Sequence, residues 1–123
     1  MNIQMTIELD TPALDNEEIQ EVTQLLQEQI LENDFADRAE LVALEQAPRG
    51  AKSFGGFLIG MLAAEVNPGN FKKLMRFLCD RLGQKSIKLK LKAPDGREIE
   101  LAASSQEEFD FVMKAAQKFL QLP

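Results

Sequence analysis

The chain has 123 residues, 45% hydrophobic and 28% charged, with a net charge of −6; this suits one domain around one core and is too apolar for a disordered segment. It holds no His, Trp or Tyr and a single Cys, which excludes a disulfide scaffold, a Cys/His zinc site and any scheme built on an imidazole base. The acidic balance argues against general nucleic-acid binding, whose affinity comes from Lys and Arg displacing phosphate counterions.

Ile3, Met5, Ile7 and Leu9 alternate with Gln4, Thr6, Glu8 and Asp10, the period of a half-buried strand that Thr11-Pro12 ends. Asp15 with Glu18 three residues on forms a helix cap, and Glu17, Glu18 and Glu21 suit the positive end of the helix dipole. Ile19, Val22, Leu25, Leu26 and Ile30 then share one stripe, which predicts an amphipathic helix to about Glu32. After an Asn33-Asp34 turn, Ala39 to Gln46 is apolar on both parities, as in a strand covered on both faces. Strand, helix and strand make a βαβ unit, with the two strands expected to be parallel.

Phe54 to Ala64 is uncharged and contains Gly56 and Gly60 four apart. It is too short for a membrane span, which needs roughly 17–25 apolar residues, and is expected to be a buried core helix or an apolar surface for a partner. Past Asn67-Pro68-Gly69-Asn70 a second helix runs from Phe71 to Leu82, with Phe71, Leu74, Met75, Leu78 and Leu82 inward and Lys72, Lys73, Arg76, Asp80 and Arg81 outward. Gly83 is its stop. Ile87, Leu89 and Leu91 alternate with Lys88, Lys90 and Lys92, Pro94-Asp95-Gly96 turns the chain, and Ile99 and Leu101 alternate with Glu98 and Glu100. This predicts a hairpin whose lysine and glutamate rows pair across the strands. Ser105 and Glu108 cap a last helix lined by Phe109, Val112, Met113, Ala116 and Leu120.

Charge is segregated along the chain. Residues 1–46 hold twelve acidic side chains and the single Arg38, residues 47–97 hold eleven basic ones and Glu65, Asp80 and Asp95, and residues 98–123 hold five acidic and two basic. The default expectation is pairing of acidic with basic elements inside one fold; the other is presentation of opposite faces to a second copy or a partner. The segment Met1 to Met5 lacks the basic and apolar regions of a signal peptide, and an unpaired Cys fits a reducing cytoplasm, the expected location.

Gly50-Ala51-Lys52-Ser53 follows a strand as a phosphate loop would. Ala51 and Gln46, however, stand where Gly-x-x-x-x-Gly-Lys-Ser/Thr requires glycines, so nucleotide hydrolysis is not expected. Amides at a helix start beside Arg49 and Lys52 would still suit a carboxylate or phosphate of a partner, against the plainer reading of a solvated turn capped by Ser53. Cys79 has no base at a recognisable spacing and is expected at the edge of the core. The carboxylates of the first helix (Glu17, Glu18, Glu21, Glu28, Glu32) lack the loop of a hard-cation site and are expected to be a solvated face.

The acidic first helix, the Arg49-Gly50-Ala51-Lys52 turn, the apolar stretch, the helix Phe71–Leu82, the Lys/Glu hairpin and the final helix together resemble the effector-associated constant component family of bacteria. The likeness spans roughly residues 3–121, and its local motif is the Gly-Ala-Lys turn. The resemblance implies a non-catalytic component of bacterial conflict systems, associated with effector-associated adaptor domains and with caspase-like or trypsin-like peptidases.

The sequence therefore predicts a single α+β domain over residues 1–123, with a four-stranded mixed sheet and element order β-α-β-α-α-β-β-α. No catalytic residue, metal or cofactor is expected. The expected activity is protein interaction, through the basic residues Arg49, Lys52, Lys72, Lys73 and Arg76 or through the apolar segment with Phe54 and Phe57. The alternatives are a nucleotide- or phosphate-binding protein using Arg49 to Ser53, and a membrane-proximal protein using residues 54–64.

Overall fold

Alternation decides the first element. In a computed structural model that describes residues 2–43, 53–54 and 56–122, strand β1 (Ile3–Leu9) buries Ile3, Met5, Ile7 and Leu9 and turns Gln4, Thr6 and Glu8 to the other side. Helix α1 (Asn16–Glu32) starts at a complete capping box: the Glu18 amide donates to Asp15 Oδ1 at 2.8 Å and the Asp15 amide donates to Glu18 Oε1 at 3.2 Å. It ends in a Schellman motif, with the Phe35 amide on the Ile30 carbonyl and the Asp34 amide on the Leu31 carbonyl. Asp34 takes the left-handed position at φ 55°, where glycine is the usual occupant.

Strand β2 (Arg38–Ala43) follows, with Ala39 buried and Arg38 and Glu40 exposed. It is thus covered on one side over this stretch; positions 44–46 of the expected strand lie outside the described residues. The uncharged segment is the main correction. It forms strands β3 (Ser53–Phe54) and β4 (Phe57–Val66), where a core helix is expected. Three glycines at 55, 56 and 60 would each weaken a helix by roughly 1 kcal/mol relative to Ala, and Phe57, Ile59 and Val66 are β-branched or aromatic residues that favour a strand. Helix α2 (Pro68–Leu82) begins one turn earlier than expected, because Asn67 caps it by accepting from the Asn70 amide at 2.9 Å and Pro68 fits the first turn. Strands β5 (Ile87–Lys92) and β6 (Glu98–Ala103) form the expected hairpin. Helix α3 (Gln106–Phe119) starts at Ser105, whose hydroxyl accepts from the Glu108 amide at 3.2 Å.

The sheet has five strands in the order β2-β4-β1-β5-β6, with the two-residue β3 paired to the start of β4. Every pairing is antiparallel, so the sheet is neither four-stranded nor mixed. The α+β class stands. β1 and β2 do point the same way, but β4 is inserted between them, which makes the split β-α-β arrangement of ferredoxin-like folds, extended here by β6 and α3.

All three helices cover one face. Their buried stripes, among them Ile19, Leu26, Phe71, Met75, Leu78, Phe109 and Val112, join Met5, Ile7, Leu62, Leu89 and Leu91 in one continuous core. Phe71 and Phe109 are fully buried, each worth about 1.5–3 kcal/mol of transfer from water. Gly60 fits this layer to the sheet. At φ 75° it sits in a bulge of β4, where the register with β2 shifts between Leu41 and Ala43. Its amide donates to the buried Gln20 Oε1 of α1 at 3.0 Å. A Cβ there would lie 2.8 Å from the Leu9 carbonyl oxygen and 2.9 Å from Ile19 Cγ2, so helix and strand approach this closely only over glycine.

Candidate functional site

With every helix on one side, the pleat sends alternate residues of five strands to an uncovered face. The register arranges them in rows. One runs Arg38, Glu65, Gln4, Lys92, Glu98; the next runs Glu40, Ala63, Thr6, Lys90, Glu100; a third holds Met61, Glu8, Lys88 and Ala102. The expected lysine and glutamate rows thus lie side by side on β5 and β6, and Glu8 of β1 flanks the lysines on their other side. β4 differs: half-buried Met61 and Ala63 reach this face as a short apolar strip, whereas beyond the Gly60 bulge Ile59 packs against the core and Phe57, opposite Ala43, is 38% exposed. Beside it is a shallow depression of about 420 Å³ lined by Gln4, Thr6, Arg38, Glu40, Ala63 and Glu65.

Electrostatics around the strip are simple. Arg38 is bound by Glu40 at 2.8 Å, and that hydrogen bond, more than the charges of Glu40 and Glu65, holds the guanidinium pKa above its usual value. Arg38 is then engaged within the face, leaving Glu8 and Glu65 as the carboxylates nearest the strip. What such a surface can do is cover and be covered: it offers apolar area ringed by charge, the composition of a protein interface rather than of a reaction centre.

The expected site residues divide among three places. Phe57 is partly exposed at the start of β4, opposite Ala43 and beyond the Gly60 bulge. Lys72, Lys73 and Arg76 are exposed on the outer side of α2, a different element. Arg49 and Lys52, and the side chain of Phe54, lie outside the described residues, as does the phosphate-loop reading that depends on them. Cys79 is buried between α2 and α3, with Sγ 4.0 Å from both Asp110 Oδ1 and Gln106 Nε2. Burial first, then the charges of Asp110 and Asp80, push its thiol pKa up, which disfavours the nucleophilic thiolate.

Comparison with protein-family models, curated proteins and solved structures returns no match to this chain. Among the described residues no group of His, Cys, Asp and Glu is placed to hold a metal ion, and no helix is long and apolar enough to cross a membrane. The open-face residues that sequence reasoning missed are Met61 and Ala63. Their signal was the Gly55-Gly56 pair between Phe54 and Phe57, a two-residue connection of the kind that joins hairpin strands.

Proposed function

We propose that this chain is a non-catalytic protein-interaction component that docks a partner protein on the open face of its sheet. The observation supporting this is the apolar pair Met61 and Ala63, set among charged rows on a strand whose other side is already core. Covering such a strip returns apolar area to a dry environment at about 25 cal/mol per Å², and the flanking charged rows reject partners that place like charge against them. The partner is a protein with apolar side chains at its centre and basic side chains facing Glu8 and Glu65. The resemblance to the effector-associated constant component family supports reading this activity as part of a bacterial conflict system, in the cytoplasm, with an effector-associated adaptor domain or a caspase-like or trypsin-like peptidase as partner.

The test is calorimetric titration of the full chain with effector-associated adaptor-domain and caspase-like or trypsin-like peptidase proteins. Binding to one of them that falls at least about tenfold in Met61→Lys and in Ala63→Lys, with the far-UV spectrum unchanged, supports the reading, since central interface residues commonly cost over 1 kcal/mol when altered. Full binding by both variants overturns the open face as the docking site. Absence of binding to every such protein overturns the placement in a conflict system.

A further inference from the structure

The second surface is on the helical side, and charge defines it. Helix α1 carries Glu17, Glu18, Glu21, Glu28 and Glu32 and no basic residue, whereas α2 carries Lys72, Lys73, Arg76 and Arg81 against Asp80, with Lys85 just beyond. The two helices are neighbours: Phe35 stacks on Phe77 at 5.1 Å between ring centroids, and a groove of about 190 Å³ lies between Val22, Leu25, Leu26 and Gln29 on one side and Arg81, Leu82 and Lys85 on the other. Yet these opposite charges do not pair. Among the described residues the ion pairs are Arg38–Glu40 and Arg97–Asp95, each between residues two apart in sequence. Arg81 lies over the Phe77 ring at 5.4 Å instead of meeting a carboxylate. The default expectation, that the acidic and basic blocks neutralise each other inside the fold, does not hold for these helices.

An apolar side chain sits in the middle of the same surface. Glu18, Glu21, Leu25, Glu28 and Glu32 fall on one helical stripe by their spacing, and Leu25 at its centre is 52% exposed. An acidic helix beside an antiparallel basic helix, with a leucine at the seam, is complementary to itself. Turned about a two-fold axis along the groove, α1 of one copy lies on α2 of the other at both contacts.

We propose that the occupant of this surface is a second copy of the chain, in a symmetric dimer that places Leu25 against Leu25 and sets Glu21 and Glu28 of each copy opposite Lys85 and Arg81 of the other. Helices of 17 and 15 residues present a patch roughly 25 Å long and 20 Å wide at 1.5 Å per residue and about 10 Å per helix. That is small beside the roughly 800 Å² per partner of a stable interface, so the dimer is weak and salt-sensitive. It leaves the open sheet face free.

Sedimentation equilibrium of the full chain tests this. Dimerisation that weakens about tenfold between about 50 mM and about 500 mM salt is expected. The decisive arm uses two charge-reversed chains, Glu21→Lys/Glu28→Lys and Arg81→Glu/Lys85→Glu. Each alone sets like charge against like at both contacts and is monomeric, whereas an equimolar mixture restores both contacts and forms a one-to-one dimer. A wild-type chain that stays monomeric at low salt overturns the proposal, as does dimerisation of either reversed chain alone. Neutralised Arg81→Gln/Lys85→Gln, which folds without introducing new charge, is expected to dimerise weakly and to lose most of the salt dependence; unchanged salt dependence would also overturn it.

Discussion

Replacing Gly60 by Ala separates two costs that the fold combines at one position. The first is conformational: an L-residue at φ 75° pays roughly 1–2 kcal/mol that glycine does not, part of it returned by the smaller entropy of the unfolded chain. The second is space. The new methyl would stand 2.8 Å from the Leu9 carbonyl oxygen and 2.9 Å from Ile19 Cγ2, and relieving such overlap moves backbone, at about 1–3 kcal/mol. Gly96 supplies the control, because its φ is 94° but nothing lies within 4 Å of the position a Cβ would take. Gly60→Ala is therefore expected to destabilise by about 2–4 kcal/mol and Gly96→Ala by about 1 kcal/mol, measured by urea unfolding with a common slope. Equal losses in the two variants would show that the close approach of β4 to β1 and α1 does not constrain the fold.

Three other expectations follow from local geometry. Asp34→Gly relieves a non-glycine residue in the left-handed position of the Schellman motif and is expected to raise stability by about 0.5–1 kcal/mol in the same unfolding experiment; a loss would contradict the motif. Glu108 has its pKa lowered first by the Ser104 hydroxyl, at 2.6 Å, and then by the Ser104 amide, at 2.9 Å. Its contribution is present above the ordinary carboxylate range and lost as pH falls through the lowered native value, so wild type and Glu108→Gln should differ near neutral pH and converge in acid; a constant gap would refute it. Cys79, buried with its thiol pKa raised, should react with an aromatic disulfide reagent only as fast as the chain opens, and rapid labelling under native conditions would contradict its place in the α2–α3 seam.

Much of the fold is written locally. β1, α1 and the β5–β6 hairpin are legible because Ile3 to Leu9, Ile19 to Ile30 and Ile87 to Leu101 each bury one side only, which imposes a clean period of two or 3.6. β4 buries Leu58, Leu62, Ala64 and Val66, packs Ile59 on the core and turns Met61 and Ala63 outward. Apolar residues on both parities erase the period, and a short uncharged run then reads equally as a buried helix. The insertion of β4 between β1 and β2 is likewise invisible in sequence, since it joins residues 3–8 to residues 61–66 with no local signal. The basic side chains Lys72, Lys73 and Arg76 were legible as a surface, because charge on the outer stripe of an amphipathic helix has no other destination. That they lie on the opposite side of the sheet from Met61 and Ala63 depends on topology, and so could not be read from spacing.

Where a partner touches the chain decides between the open sheet face and the helical side. Amide chemical-shift mapping of the full chain, titrated with an effector-associated adaptor domain, locates that contact directly. Shifts concentrated at Met61, Ala63, Thr6 and Glu40 are the expected result; shifts confined to the helical side, or a response to magnesium-ATP instead, would contradict the proposed docking.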